Sequence, residues 1–202
     1  MSHVIHLEAA IDGTLLPHDR LQTLHEDRPL WVRYDLEAVA SAVERADLSS
    51  RPATMWRYQE LLPVEHETNI VSLGEGMTPL LRCDRLGETL GLRDLWIKDE
   101  SQLPTGSFKA RGIAMAVSRA KELGVKRLAI PTAGNAGGAL AAYAARAALE
   151  AWIFMPADTP LVNKAEAANH GARAFLVDGL ITDCGALVRD GTEEMGWFDV
   201  ST

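Results

Sequence analysis

Cysteine is scarce in this chain: only Cys83 and Cys184 occur among 202 residues, and they lie far apart with no CxxC pair. That scarcity excludes the disulfide framework of small secreted domains, and it leaves no cysteine set for a zinc ribbon. Free thiols are typical of proteins kept in a reducing compartment. We therefore expect two reduced cysteines in a cytoplasmic protein.

Long hydrophobic runs and clusters of basic residues are also missing. The longest apolar stretch, residues 136–157, is interrupted by Arg146 and Glu150, so it is too broken to span a bilayer. The N-terminus lacks the basic start and apolar core of a signal peptide. The formal net charge is −8, which argues against nucleic acid as the main partner. The sequence predicts no membrane and no nucleic-acid partner, and it leaves an anionic small molecule possible as a substrate.

From about Leu95 the chain has a regular alternation of short apolar strands and longer helices. The predicted strands are residues 95–98, 127–130, 151–155, 174–177 and 197–200. The predicted helices are residues 108–123, 136–148, 160–170 and 182–195. Strands that alternate with helices imply right-handed crossovers and a parallel sheet with helices on both faces. The expected fold class is α/β, a parallel three-layer sandwich.

The first half of the chain is organised differently. Residues 1–50 show no sustained period, and we predict an N-terminal segment with a strand at 30–32 and a helix at 35–46. Residues 51–94 are expected to form a connecting arm, since Gly74, Gly76 and Pro79 mark turns. Residues 95–202 would form half of an α/β catalytic domain. Because a parallel sheet normally continues to a helix after its last strand, we expect a truncated chain or an incomplete gene model.

A lysine near a predicted helix start is the first chemical candidate. Pro104 and Gly106 predict a turn, and Ser107 is suited to cap the helix that follows. Lys109 then falls in the first helical turn, where the positive end of the helix dipole disfavours a cation. A neutral amine is the form that condenses with an aldehyde. The alternative is an ordinary surface lysine.

A small-residue loop around Asn135 is the second candidate. Residues 130–138 (IPTAGNAGG) join a strand to a helix, and small residues let the backbone approach a ligand closely. Free amide groups at a helix start can bind a carboxylate or phosphate. The loop is neither a Walker loop nor a GxGxxG fingerprint. The alternative is a tight turn followed by close helix packing.

Taken together, these segments resemble a family. Residues 105–112, TGSFKARG, are similar to the cofactor-lysine motif of the tryptophan-synthase-β-like (fold type II) pyridoxal-phosphate enzymes. Residues 132–139, TAGNAGGA, are similar to the loop that binds substrate and cofactor in those enzymes. Matches to threonine synthases in particular are residues 32–36, 73–80, 154–160 and 196–202. The resemblance covers nearly the whole chain from about residue 28 and implies the N-terminal half of such a domain.

The resemblance implies roles for the matched residues. Lys109 would hold pyridoxal 5'-phosphate and move protons as general base and acid. Asn135 would hydrogen-bond the ring hydroxyl of the cofactor. Phe108 would pack near the ring, with a core position on the helix face as its alternative. The substrate carboxylate would be bound by Thr132, Ala133, Gly134 and Ala136. The implied reaction converts O-phospho-L-homoserine and water to L-threonine and phosphate.

The chain departs from the resemblance in two ways. Many relatives carry a cysteine-paired metal ribbon near the N-terminus, whereas residues 10–29 contain no cysteine. We therefore expect no metal and solvated histidines at His3, His6, His18 and His25. In the family, the cofactor-phosphate loop and much of the substrate-phosphate site lie in a C-terminal half, which we expect this chain to lack. We expect the chain alone to be inactive, because a half-site lacks the preorganised groups that dominate catalysis.

Three functions stay open from the sequence. The first is a threonine synthase, homodimeric when full length. The second is a serine/threonine dehydratase or another β-replacement enzyme on the same scaffold. The third is a truncated paralogue that binds a partner or the cofactor without turnover.

Overall fold

The computed structural model describes residues 2–201 and begins with an antiparallel sheet. Its strands are β1 (Val4–Ala9), β2 (Leu15–Leu16), β3 (Leu24–His25) and β4 (Arg28–Tyr34). They pair in the order β2-β1-β4-β3. Glu26 and Asp27 join β3 to β4 in a two-residue turn with positive φ at both positions, 48° and 58°, which suits a tight hairpin. The strand expected at 30–32 is confirmed within β4, and the other three short, half-exposed strands show no pattern that predicts them.

Two short helices follow this sheet, where one was expected over residues 35–46. They are α1 (Leu36–Ala42) and α2 (Arg45–Ser50). The side chain of Asp35 caps α1 by accepting from the third backbone N–H of the helix, at 2.9 Å. Val43 is extended (φ −132°, ψ 118°), and the backbone N–H of Glu44 donates to the Asp47 carboxylate at 3.0 Å. The prediction of one continuous helix is wrong, because the chain is extended at Val43 and the Glu44–Asp47 hydrogen bond caps the start of a second helix.

A small two-stranded sheet pairs the last part of the connecting arm with the segment that follows it. It contains β5 (Leu80–Arg82) and β6 (Trp96–Lys98), with α3 (Asp84–Leu90) between them. The pairing is antiparallel, with Leu81 opposite Ile97. The alternation pattern predicts β6 as a member of the parallel sheet, and that is wrong. Both strands are exposed along their length, unlike the strands of a sheet covered on both faces.

The parallel sheet predicted from the alternation is confirmed. Its helices are α4 (Lys109–Glu122), α5 (Asn135–Ala147), α6 (Leu161–Asn169) and α7 (Ile181–Glu194), and its strands are β7 (Arg127–Pro131), β8 (Glu150–Pro156), β9 (Arg173–Val177) and β10 (Phe198–Asp199). The strand order is β10-β7-β8-β9, and every pair is parallel. The elements agree closely with those expected from the sequence, and the fold class is α/β.

Alternating side chains of β8 separate the two faces of this sheet. Ile153 and Met155 point toward Gly137 of α5. Trp152 and Phe154 point the other way and pack on Trp197, with ring centroids 5.1 Å and 5.4 Å apart. Helix α7 covers that second face with the buried residues Cys184 and Val188. The domain is therefore a three-layer sandwich, because both faces of β8 are apolar and both are covered by helices.

The first part of the connecting arm, residues 51–79, is held on α4 by hydrogen bonds from its backbone to side chains of the helix. It includes two 3-10 turns, Met55–Leu61 and Glu67–Asn69. The Glu122 carboxylate accepts from the backbone N–H of Glu65 at 3.1 Å and of His66 at 2.8 Å. The buried Ser118 hydroxyl accepts from the N–H of Val71 at 2.9 Å. Backbone donors of the arm, including the buried N–H of Val71, are satisfied in this way without regular secondary structure.

The N-terminal histidines do not form a metal site among the described residues. Across residues 2–201, no group of three or more His, Cys, Asp or Glu side chains is placed to hold a metal ion. The Nδ1 atom of His18 lies 3.3 Å from Glu65, and the Nε2 atom of His25 lies 3.9 Å from Asp12. Among the helices described, none has the length and apolarity needed to cross a membrane.

Candidate active site

The carboxyl edge of the parallel sheet gathers the residues that the sequence singles out. Loops that follow parallel strands, and the starts of the helices after them, lie at that one edge. Residues 132–134 follow β7 there, and Asn135 is the first residue of α5. Helix α4 packs against α5, and the turn just before Lys109 also contacts α5. The lysine segment and the asparagine loop are therefore neighbours.

The helix that carries the lysine begins one residue later than expected. Phe108 adopts helical angles (φ −59°, ψ −16°) and occupies the N-cap position, so Lys109 is the first residue of α4. Ser107 is extended (φ −155°, ψ 159°). The expectation that Ser107 caps the helix is wrong, because the helix boundary moves past it and its hydroxyl makes no capping bond. The expectation that Lys109 lies in the first turn is confirmed.

The turn before the lysine is a tight and unusual one. Thr105 and Gly106 both have left-handed backbone angles, with φ of 60° and 64°. Such a φ is uncommon for a β-branched residue and costs of order 1–3 kcal/mol. Strained backbone of this kind clusters at ligand sites, because the surrounding structure must hold it there. The turn contacts α5 and leads directly into α4, whose first residue is Lys109.

Phe108 was expected either near the cofactor ring or in the core, and the structure excludes the core because the residue is exposed. The fraction of Phe108 that is accessible to solvent is 61%. The Nζ atom of Lys109 lies 4.8 Å from the centroid of the Phe108 ring, within the range of a cation–π contact. The alternative placement of Phe108 in the core is therefore wrong. The ring and the amine face the same open region.

Two hydroxyls of the lysine segment fit a polar ligand. The Oγ1 atom of Thr105 and the Oγ atom of Ser107 are buried, and neither has a hydrogen-bond partner among residues 2–201. Leaving a buried hydroxyl unpaired costs free energy, so such groups normally have a partner. A cofactor with several polar oxygens beside Lys109 would supply partners. The residues present thus fit the pyridoxal phosphate that the resemblance implies.

The loop after β7 is held by a hydrogen bond to Thr132 and by the close packing of Gly137 on the same residue. The backbone N–H of Gly134 donates to the Thr132 hydroxyl at 3.1 Å. A Cβ atom on Gly137 would lie 2.7 Å from Cγ2 of Thr132 and 2.9 Å from Cε of Met155. Only glycine allows α5 to lie that close to the strand. The alternative of close helix packing is thus also present, and Ala133 is left exposed at the tip of the loop.

Asn135 is paired with a residue that the sequence did not point to. Its Oδ1 atom accepts from Nδ2 of Asn163 at 3.1 Å. Asn163 lies in the first turn of α6 and is only 7% exposed. The two residues come from consecutive crossovers, and 28 positions separate them. A local motif search misses Asn163, because nothing near it in sequence marks a ligand site.

A second group outside the expected site holds the start of α4. Arg111 donates two hydrogen bonds to Glu100, at 2.6 Å and 2.9 Å. The Thr78 hydroxyl donates to the same carboxylate at 2.5 Å, and Lys98 donates to the Thr78 carbonyl at 2.9 Å. The Arg111 guanidinium and then the Thr78 hydroxyl lower the pKa of Glu100 to about 2. These contacts tie α4 to the arm two residues after Lys109, because a bidentate arginine pair fixes geometry as well as charge.

A fully buried carboxylate anchors the arm to α5. Glu75 accepts from Nε1 of Trp56 at 2.7 Å, from the Tyr143 hydroxyl at 2.6 Å and from the backbone N–H of Leu73 at 2.9 Å. Its exposure is 0%. Buried carboxylates are rare unless they are paired or hydrogen-bonded. Glu75 lies in the motif at 73–80, but no local pattern in the sequence connects it with Tyr143, which is 68 positions away.

Comparison with known proteins gives consistent results. The family model described as "Pyridoxal-phosphate dependent enzyme" matches residues 71–202. A threonine synthase of Methanocaldococcus jannaschii is 40% identical over 166 residues, which are 82% of this chain and 41% of that protein. A threonine synthase of Methanosarcina acetivorans is 40% identical over 164 residues, which are 81% of this chain and 40% of that protein. The chain thus spans about two fifths of the length of these curated relatives.

A solved structure supports the fold independently of these sequence matches. The selenomethionine holo form of diaminopropionate ammonia lyase from Escherichia coli aligns with a TM-score of 0.60 and 23% identity. The alignment covers 66% of this chain and 40% of that one. At that identity the likeness bears on the fold alone.

Proposed function

The chain belongs to the family of pyridoxal-phosphate dependent enzymes, and on that premise we propose that it contributes the lysine-bearing part of a threonine synthase. The proposed reaction converts O-phospho-L-homoserine and water to L-threonine and phosphate. The observation that carries the proposal is the 40% identity to threonine synthases over 82% of this chain. Within that region Lys109 begins a helix beside the Asn135 loop, which supports a shared site.

Lys109 is proposed to hold the cofactor and to move protons beside it. When bound, pyridoxal phosphate supplies an electron sink for a negative charge that develops on the substrate. The Lys109 amine is half-buried at the first position of α4, against the Phe108 ring. That placement lets one nitrogen reach both a ring and a substrate at the edge of the sheet. The unpaired hydroxyls of Thr105 and Ser107 are expected to accept or donate to polar groups of the cofactor.

The loop after β7 is proposed to bind the substrate carboxylate and the cofactor ring. Thr132, Ala133, Gly134 and Ala136 would make the carboxylate contacts. The start of α5 supports this role, because backbone N–H groups at a helix start attract anions. Asn135 would hydrogen-bond the ring oxygen of the cofactor. The close packing of Gly137 on Thr132 holds the loop in one position, which is what a binding loop requires.

A chimeric enzyme tests the proposal. This chain would replace the matching two fifths of the Methanocaldococcus jannaschii threonine synthase, and phosphate release from O-phospho-L-homoserine would be compared with ammonia release from L-threonine. We expect phosphate release that is lost in the Lys109→Ala chimera. Preferential ammonia release would favour a dehydratase instead. A folded chimera with neither activity would support a non-catalytic paralogue.

The proposal extends to the chain by itself. We propose that the 202-residue chain has little or no turnover, because it spans only about two fifths of its relatives. Phosphate release by the isolated chain at the rate of the chimera would contradict this. The same proposal includes an amino-acid substrate, a cytoplasmic location, no nucleic-acid partner and a homodimeric whole protein. Fractionation and the mass of the chimera in solution test the location and the dimer.

A further inference from the structure

The contact between Asn163 and Asn135 joins two neighbouring helix starts at the edge of the sheet. Asn135 begins α5 after β7, and Asn163 lies in the first turn of α6 after β8. Nδ2 of Asn163 donates to Oδ1 of Asn135 at 3.1 Å. Asn163 is buried, whereas Asn135 is exposed. Asn163 therefore has less freedom to move than Asn135, and the hydrogen bond between them restricts the orientation of the exposed amide.

The direction of this hydrogen bond decides which end of Asn135 faces outward. A side-chain amide has an acceptor oxygen at one end and a donor NH2 group at the other. Because Oδ1 of Asn135 is turned toward Asn163, its NH2 group is directed away from α6. Across residues 2–201, that NH2 group has no hydrogen-bond partner within the protein. Asn135 thus presents a donor, and not an acceptor, at the carboxyl edge of the sheet.

We propose that Asn163 is a positioning residue that orients Asn135 as a hydrogen-bond donor toward the ring oxygen of the cofactor. This inference rests on the proposed function, since it assigns a polarity to a contact of the same site. A donor stabilises the deprotonated form of that oxygen, whereas an acceptor at the same place would destabilise it. Asn163 does not touch the cofactor itself. It acts by preventing the side-chain amide of Asn135 from rotating so that its oxygen faces the cofactor.

Two substitutions separate orientation from simple packing. Asn163→Ala removes the donor, so Asn135 becomes free to rotate but keeps its ability to donate. Asn163→Asp places an acceptor against Asn135, so the NH2 group turns inward and the carbonyl oxygen faces outward. We expect the Asp variant to have the larger effect on cofactor protonation, although it is closer to asparagine in size. Asn169→Asp is the matched control, because Asn169 is an exposed residue at the end of the same helix.

The first measurement needs no cofactor. The side-chain amide resonances of Asn135 are assigned in the 202-residue chain by their loss in Asn135→Asp. We expect Asn163→Ala to shift these resonances and Asn169→Asp to leave them in place. Unchanged Asn135 resonances in a folded Asn163→Ala chain would overturn the inference, because the contact would then not orient the amide.

The second measurement uses added pyridoxal 5'-phosphate. The pH dependence of the visible absorbance is recorded for the unaltered chain and each variant, and borohydride trapping with peptide mapping identifies the labelled lysine. We expect the titration midpoint to rise by about one pH unit in Asn163→Asp, less in Asn163→Ala, and not at all in Asn169→Asp. Label on Lys109 with equal midpoints in all chains would overturn the inference and leave the proposed function standing. Absence of label on Lys109 in the unaltered chain would instead count against both.

Discussion

The Tyr143 hydroxyl donates to the Glu75 carboxylate across 2.6 Å, and both side chains are fully buried. The two residues are 68 positions apart, one in the arm and one in the middle of α5. Burial first, and then the hydrogen bond to Glu75, raise the pKa of Tyr143 far above its usual value. This contact joins the arm to the helix that begins with Asn135. The arm is therefore packed on the same helix that carries part of the candidate site.

Removing the hydroxyl in Tyr143→Phe should destabilise the fold. The Glu75 carboxylate would lose one of three donors while remaining buried, which costs about 1–3 kcal/mol. Urea denaturation of the chain measures the change in the free energy of unfolding. Tyr58→Phe is the control, because Tyr58 is 48% exposed. An equal effect of the two substitutions would show that the buried contact contributes nothing.

The same contact should make stability depend on pH in the alkaline range. The pKa of Tyr143 is raised in the folded chain, so unfolding lets the hydroxyl lose its proton at a lower pH. The stabilisation is therefore complete below about pH 10, the usual tyrosine value, and decreases as pH rises above it. The free energy of unfolding of the unaltered chain should fall more steeply between pH 9 and 11 than that of Tyr143→Phe. Parallel curves would argue against the raised pKa.

Glu100 should produce the opposite dependence at acid pH. Its pKa falls from 4.5 to about 2, mainly through the hydrogen bond from Arg111. A lowered pKa gives stability that is present above pH 4.5 and is lost as pH falls from 4.5 toward 2. Glu100→Gln should flatten the unfolding free energy over that window. Asp84→Asn serves as the control, because the Asp84 side chain is 65% exposed in its pair with Arg82. Retention of the full acid slope in Glu100→Gln would assign it to other carboxylates.

Alanine at Gly137 should disturb the loop that precedes α5. The added methyl group would lie 2.7 Å from Thr132 and 2.9 Å from Met155, and such overpacking costs about 1–3 kcal/mol. Gly112→Ala is a matched helix glycine with no atom within 4 Å of the added methyl group. It should stabilise the chain by about 0.5–1 kcal/mol. Thermal unfolding of both variants compares the signs, and two stabilising changes would refute the close packing.

Lys109→Arg should abolish site-specific attachment of pyridoxal 5'-phosphate. Arginine keeps the positive charge but has no amine that condenses with the aldehyde. Borohydride reduction and peptide mapping should find the label on Lys109 in the unaltered chain and on no residue of the 105–112 segment in the variant. Lys126→Arg, at an exposed lysine, should label like the unaltered chain. A label that persists elsewhere with undiminished yield would remove Lys109 from its proposed role.

Some features of the structure escape sequence-based prediction for identifiable reasons. The hairpin of β3 and β4 depends on Glu26 and Asp27 in left-handed conformation, which is uncommon for glutamate. Strand β6 has an apolar sequence like a buried strand, yet it pairs antiparallel with β5 outside the main sheet. Serine is a residue type that often caps a helix, but Phe108 and not Ser107 occupies the N-cap position of α4. In each case a tertiary contact or a backbone choice overrides the local preference.

The sequence by itself determined the α/β class, the helices and strands from residue 108 onward, and the position of Lys109 in a first helical turn. These follow from periodicity and turn residues, which are local properties of the chain. Only the tertiary structure decided that Asn163 contacts Asn135, that Arg111 is held by Glu100, and that Glu75 is buried against Tyr143. Such pairs form where distant segments meet, and the free energy that selects them comes from burial and hydrogen bonding across the fold. No spacing along the chain encodes them.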